Sequence, residues 1–285
     1  MDLSIILPAK NEAESLAALL PDLKSRFPDA EIIVVNDGSD DNTREICDKN
    51  NVITINKPYS MGNGAAIKSG TYKATGDTLL FMDADGQHEA KEIQPMLELL
   101  SQGYDMIVGS RTMKSHASIF RRIANGLYNY LASWMTGFLI KDLTSGFRAV
   151  NAQKFRQFTY LLPNGFSYPT TITMAFFRSA YSVAYHPIVA KKRTGKSKIS
   201  LLKDGVRFFI IILKVGTLFS PMRFFLPISL IFFAVGLVYY GYTYVSYGRF
   251  TNMSALLFIT SVFIFLFGII AEQISALHYR LDKKL

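Results

Sequence analysis

Two long stretches without a charge constrain this chain more than any other feature. No Asp, Glu, Lys or Arg occurs from Phe224 to Gly248, and none occurs from Phe250 to Ala271. As a helix rising 1.5 Å per residue, each is about long enough to cross a hydrocarbon core of roughly 30 Å. Only Arg249 separates them. We read residues 223–285 as a transmembrane helical hairpin, with spans at about 224–248 and 250–277 and a short basic tail. The alternative is a pair of buried core helices. Residues 1–199 have the composition of a soluble α/β domain, and residues 200–222 lie between the two parts. There Lys203, Arg207 and Lys214 recur at helical spacing among Phe208, Phe209, Ile210, Ile211, Ile212 and Leu213. That pattern is an amphipathic helix lying in the membrane interface, or else a core helix of the soluble part. Pro221 then interrupts the chain before the first span.

The formal net charge is +9. Lys191, Lys192, Arg193, Lys196, Lys198, Lys203, Arg207, Lys214 and Arg223 precede the hairpin, and Arg280, Lys283 and Lys284 follow it. Positive charge on both flanks places the N-terminal domain and both termini in the cytoplasm, in an integral protein of the cytoplasmic or inner membrane. Nucleic acid is the other usual partner of a basic chain. Here the basic cluster abuts the membrane segment, so anionic lipid is expected and nucleic acid is not. Met1-Asp2-Leu3 leads straight into a strand, so no signal peptide is expected. The single Cys47 allows no internal disulfide and reads as a buried apolar residue.

The N-terminal part alternates strands and helices. Strands are expected at Leu3–Leu7, Glu31–Val35, Val52–Ile55, Thr78–Met82 and Met106–Val108. Helices are expected at Glu12–Lys24, Asp41–Asp48, Gly62–Ala74 and Glu89–Ser101. This order implies a mostly parallel, Rossmann-like sheet with helices on both faces. Ligands of such sheets bind beyond the carboxyl ends of the strands. Pro8–Glu12, Asn36–Ser39, Gly62–Gly64 and Asp83–Gln87 all fall at such ends. Asp83 and Asp85 alternate with a small residue after an apolar strand, before Gly86. Two carboxylates placed so could converge on one hard cation, Mg²⁺ or Mn²⁺, leaving positions open for a diphosphate. An Asp-Gly turn at a strand end is the plainer alternative.

Taken in order, Leu7-Pro8-Ala9-Lys10-Asn11-Glu12, Val34-Val35-Asn36-Asp37-Gly38-Ser39, Gly62-Asn63-Gly64-Ala65-Ala66 and Asp83-Ala84-Asp85-Gly86-Gln87-His88 resemble family-2 glycosyltransferases of the GT-A fold. The closer likeness is to dolichol- and polyprenyl-phosphate mannose or glucose synthases. It continues through Val108-Gly109-Ser110-Arg111, Asp142-Leu143-Thr144-Ser145-Gly146-Phe147-Arg148 and Arg193-Thr194-Gly195-Lys196-Ser197-Lys198.

The resemblance implies roles. Pro8, Ala9 and Glu12 would line the nucleotide pocket, and Asp37 would accept a hydrogen bond from the base, of UDP or GDP type. Gly62 and Gly64 would let the backbone approach ribose and phosphate. Asp83 would sit near ribose and metal, with Asp85 and Gln87 as ligands. Arg111 and Arg122, with Arg121 adjacent, would hold a lipid phosphate through their planar forks. Arg193, Lys196, Ser197 and Lys198 match a loop that folds over the diphosphate. Asp142 and Arg148 join Asp85, Arg111 and Arg122 as catalytic candidates.

Where related enzymes carry an acidic residue after the acceptor loop, Asn164-Gly165-Phe166-Ser167-Tyr168-Pro169-Thr170-Thr171 has none. A hydroxyl acceptor needs a general base. A phosphate monoester, with a second pKa near 6, does not. The expectation is therefore an inverting, metal-dependent hexosyl transfer from a nucleoside-diphosphate sugar to a membrane polyprenyl phosphate, with Asp142 as a candidate base. Transfer to a lipid or glycan hydroxyl, or an inert nucleotide-sugar-binding membrane adaptor, are the alternatives. A homo-oligomer and the role of Glu272 stay open.

Overall fold

A buried central strand organises the N-terminal part. In the computed structural model β1 (Leu3–Ala9) is buried along almost its whole length, and its apolar run Ile5-Ile6-Leu7 feeds both faces of the sheet. β2 (Glu31–Asn36) and β3 (Ile53–Asn56) lie to one side of it. β4 (Thr78–Phe81), β6 (Arg148–Asn151), β5 (Met106–Arg111) and β7 (Val183–Ile188) lie to the other, in the order β3-β2-β1-β4-β6-β5-β7. β6 runs antiparallel to both neighbours, and the other pairings are parallel. The structure describes residues 2–111, 119–165, 168–189, 210, 213–214, 216–217 and 220–282, without the side chains of 119–124 and 278–282. The interfacial helix expected over 200–222 falls almost wholly outside them.

Helices cover both faces. α1 (Ala13–Arg26) buries Leu16, Leu19, Leu20 and Leu23, an i, i+3, i+4, i+7 stripe, against Ile5, Leu7 and Val34. α2 (Thr43–Lys49) adds the buried Cys47 to that core. On the other face α3 (Asn63–Lys73) buries Ala65, Ala66, Ile67 and Gly70. A Cβ at Gly70 would fall 2.4 Å from the Ile6 Cγ2, so α3 sits as near the sheet as backbone allows. α4 (Ile93–Ser101) follows a 3₁₀ turn at Ala90–Glu92, so the helix expected from Glu89 starts later. α5 (Ile119–Thr136), α6 (Ala152–Arg156) and α7 (Tyr168–Arg178) complete the fold.

From β1 the chain winds outward through β2 and β3, then returns to place β4 on the opposite side of β1. That reversal opens a crevice beyond the carboxyl ends of β1 and β4.

The chain divides into two compact units, Met1–Ser133 with Phe138–Ile212, and Trp134–Gly137 with Leu213–Leu285. The second holds α8 (Pro221–Tyr247) and α9 (Asn252–Asp282). Both are long and apolar enough to cross a membrane, with mean hydropathy 2.0 for α8 and 2.5 over Asn252–Leu277. They form a hairpin around Gly248, which caps α8 in the left-handed conformation at φ 63°. Ser229 and Ser261 exchange hydroxyl-to-carbonyl hydrogen bonds of 3.0 and 2.9 Å between the helices. The Glu272 carboxylate accepts the Met222 N–H at 3.3 Å. It thereby serves one of the α8 amides that have no intrahelical acceptor.

Candidate active site

The turns after β1 and β2 are laced together. Asp37 N–H donates to the Ala9 carbonyl at 2.8 Å, Asn11 N–H to Ser39 Oγ at 3.0 Å, Asp40 N–H to Asn11 Oδ1 at 2.8 Å, and Glu12 N–H to Thr43 Oγ1 at 3.2 Å. Pro8, Ala9 and Glu12 therefore sit on this rim, Glu12 at the N-cap of α1. Beside them a polar cavity of about 360 Å³ is lined by Lys10, Asn36, Ser39, Asp40, Lys57 and Tyr59, among others. Lys10, Lys57 and Tyr59 were not anticipated as site residues. Their signal was position alone, just past β1 and β3.

Asp37, expected to meet the base, is engaged within the chain. Its carboxylate accepts from Ser60 Oγ (2.7 Å), Met61 N–H (2.7 Å) and Gly62 N–H (3.0 Å). It thus fixes the strand-to-helix segment before α3. Gly62 and Gly64, expected to admit ribose and phosphate, lie close against another part of the chain. A Cβ at Gly64 would lie 1.9 Å from the Pro163 carbonyl oxygen, and one at Gly62 would lie 2.5 Å from that of Asn164. Gly64 and Ala65 N–H groups donate to Gly165 and Asn164 carbonyls, each at 3.1 Å, and Lys68 Nζ donates to the Leu162 carbonyl and Asn164 Oδ1. The close approach these glycines permit is to residues 163–165 of the same chain.

At the end of β4, Gln87 N–H donates to Asp85 Oδ1 at 3.2 Å, an Asx turn that holds the loop. Asp85 is buried and Asp83 half-buried. His88 stacks on Phe147 at 4.8 Å between centroids. Burial drives its pKa down to about 4 against the opposing charge of Asp85, so the ring is neutral near pH 7.

Facing this loop, Arg111 at the end of β5 meets Asp142. Nε reaches Oδ2 and Nη2 reaches Oδ1, both at 2.9 Å, and Nη2 also donates to Thr144 Oγ1. Asp142 accepts further from the N–H groups of Arg111, Thr144 and Ser145. Burial alone would raise its carboxyl pKa, but the Arg111 bonds and charge hold it below the usual range. The same contacts fix the Arg111 guanidinium in place and lower the basicity of Asp142. Among the described residues none takes the Nη1 protons of Arg111, which leaves them for an anion.

Arg148 is fully buried. It donates to the carbonyls of Ser145 (2.8 Å) and Leu143 (3.4 Å) and to Thr173 Oγ1 (2.6 Å). Burial lowers its pKa. It props the 142–146 loop from beneath and is not positioned to touch a substrate. Arg193, Lys196 and Ser197, and the side chains of Arg121 and Arg122, lie outside the described residues.

The model for glycosyl transferase family 2 matches residues 4–159. The chain belongs to that family. The same chain matches the GtrB C-terminal hairpin over residues 220–277. This family 2 glycosyltransferase is 26% identical to glycosyltransferase AglJ of Haloferax volcanii, over 99% of this chain and 96% of the relative. It is 28% identical to a dolichyl-phosphate hexose transferase of the same organism, over 75% and 93%. It is 33% identical to an undecaprenyl-phosphate 4-deoxy-4-formamido-L-arabinose transferase of Photorhabdus laumondii, over 51% and 48%. Its fold is shared with glucosyl-3-phosphoglycerate synthase from Mycobacterium tuberculosis, solved with Mn²⁺, UDP and glucosyl-3-phosphoglycerate. The TM-score is 0.62 at 17% identity, covering 75% of this chain and 80% of that one. The GT-A architecture of the glycosyltransferase thus stands on its topology and on this likeness together.

Proposed function

We propose that this glycosyltransferase moves a hexose from a nucleoside-diphosphate sugar to a membrane polyprenyl phosphate, inverting the anomeric centre. The observation that carries the reading is the spent carboxylate of Asp142. Both of its oxygens accept from Arg111 and its pKa is lowered, so it is a weak base with no oxygen turned to an incoming hydroxyl. The Arg111 guanidinium keeps Nη1 donors that no described residue takes. An acceptor that arrives already anionic needs no base, and a phosphate monoester is such an acceptor. The polyprenyl-phosphate relatives and the hairpin match support the same reading.

The polar cavity beside Lys10, Asp40, Lys57 and Tyr59 takes base and ribose. Asp83, Asp85 and the Gln87 amide oxygen are the residues that would hold Mg²⁺ or Mn²⁺. Their fit rests on donor chemistry: hard oxygens, with no set of three His, Cys, Asp or Glu side chains converging among the described residues. Such an open set leaves room for diphosphate oxygens. When bound, the cation supplies neutralising charge to the departing diphosphate. Arg111 would orient the lipid phosphate for attack from the opposite face; the resemblance adds Arg121 and Arg122 to that role, and Arg193, Lys196 and Ser197 to contacts with the donor. Two buried polar atoms, Asn63 Oδ1 and Ser145 Oγ, have no hydrogen-bond partner among the described residues. They suit a polar ligand.

An acceptor in the bilayer requires a site at its surface. Leu127, Tyr130 and Trp134 share one exposed face of α5, and no Asp or Glu occurs between Asp105 and Asp142. That face suits an anionic lipid surface. The positive flanks of the hairpin support a cytoplasmic catalytic domain.

The test is incubation of the detergent-purified protein with radiolabelled UDP- and GDP-hexoses and polyprenyl phosphate. A glycolipid labile to mild acid is expected. An acid-stable product would point to a hydroxyl acceptor, and no product with any donor would leave only a binding role.

A further inference from the structure

We propose that Tyr168 is a positioning residue for the Asp83 carboxylate, acting through the backbone of Gly146; this rests on reading Asp83 as part of the cation and donor site. Tyr168 opens α7 and is 1% exposed. Its hydroxyl donates to the Gly146 carbonyl at 3.0 Å. Gly146 in turn lies against Asp83. A Cβ on Gly146 would fall 2.9 Å from Asp83 Oδ2 and 3.3 Å from Oδ1. The carboxylate therefore rests on the bare α-carbon of a residue whose carbonyl is pinned from the other side. The Tyr168 ring also meets Phe81 edge-on, with centroids 6.3 Å apart. Phe81 ends the strand that delivers Asp83. One buried side chain thus touches both the strand that carries the carboxylate and the loop that backs it.

The phenol is a dependable donor. Burial, and after it the charge of Asp83, raises its pKa far above the working range. Arg148 holds the same loop one residue earlier, at Ser145. At its far end the loop carries Asp142 and, through it, Arg111. The donor-side carboxylate and the acceptor-side cation are therefore backed by one short strap, residues 142–146. Its carbonyls are fastened to the core by Tyr168 and Arg148.

A residue that merely filled the core would affect stability without selecting the cation. Tyr168→Phe keeps the ring and its contact with Phe81 and removes one donor. The measurement is Mn²⁺ binding to the full chain in detergent with saturating UDP, read by electron paramagnetic resonance of free Mn²⁺, with Tm and metal-free UDP binding recorded alongside. Loss of one buried hydrogen bond predicts roughly fivefold weaker Mn²⁺ binding. Metal-free UDP affinity should be unchanged, and turnover should recover as Mn²⁺ is raised. Gly146→Ala, which presses a methyl group toward Asp83 from the other side, should weaken Mn²⁺ at least as much. It decides the matter if Tyr168→Phe proves too unstable to purify. Wild-type Mn²⁺ affinity in the variant that can be measured, while Asp83→Asn loses it, overturns the proposal and spares the reading of Asp83. Wild-type affinity in Asp83→Asn overturns both.

Discussion

Arg111 and Asp142 meet through two parallel hydrogen bonds of 2.9 Å, Nε to Oδ2 and Nη2 to Oδ1. The pairing fixes two candidate catalytic groups as one ion pair with the guanidinium in a single orientation. Both side chains are more than two-thirds buried, at 27% and 9% exposure. The guanidinium therefore cannot swing toward solvent, and the anion it meets must come to it.

Asp142→Asn should cost about 3 kcal/mol of stability at pH 7, because a largely buried pair loses one partner. It should also raise KM for polyprenyl phosphate more than for the donor. The native carboxyl pKa lies below its unfolded value. The stabilisation is thus complete above about pH 4 and fades as pH falls through the native pKa. Denaturant titrations at several pH values should show a constant gap between wild type and variant from mildly acidic to neutral pH, closing in stronger acid. A gap that widened with acid would contradict the pairing.

Asp85→Ala should abolish turnover in a protein that still folds and inserts. The change falls in a loop, and its visible structural cost is the Asx turn to Gln87. Activity assays across Mg²⁺ and Mn²⁺ concentrations check this. Wild-type rates with unaltered cation dependence would remove Asp85 from the metal site.

Gly64→Ala should destabilise the fold by about 2 kcal/mol or more, since the added carbon meets a carbonyl oxygen that cannot move aside cheaply. Thermal melting without any nucleotide measures it. An unchanged Tm would show that residues 163–165 yield freely.

Trp134 is the only tryptophan and is 42% exposed, so its emission reports on α5 alone. In nanodiscs of anionic lipid it should be quenched by bromine placed near the headgroup end of the acyl chains. It should be shielded from aqueous iodide. Quenching by iodide alone would take α5 away from the bilayer.

The strands around the site were legible because β1, β2 and β4 are short apolar runs closed by polar turns. β6 and β7 were not. β6 has four residues directly after Gly146-Phe147, inside a stretch read for its chemistry, and it pairs antiparallel where the alternation implied parallel strands. β7 contains Pro187, which an edge position tolerates and a sequence pattern discourages. The acidic loop after β4 was legible as a candidate site because strand end, carboxylates and glycine coincide there. The tasks of Gly62, Gly64 and Arg148 were not. A glycine announces that something comes close without naming it, and an arginine in a polar motif does not reveal which side of the sheet its guanidinium takes. Residues 163–165 are nearly a hundred positions from α3 in the chain, and no local pattern links the two.

The exchange between Ser229 and Ser261 has a mechanical consequence for the hairpin. Each hydroxyl is bound to the other helix's backbone carbonyl, so sliding α8 along α9 by one residue would break both bonds together. If the hairpin lies in hydrocarbon, as proposed, no water would replace them. Gly236 faces Leu257 and Phe258 on one side of that point, and Gly268 faces Phe225 and Met222 on the other, so the register is keyed along much of the length. As the membrane-spanning hairpin that the proposed function calls for, the pair would meet a thinner or thicker bilayer by tilting as one rod, with its register unchanged.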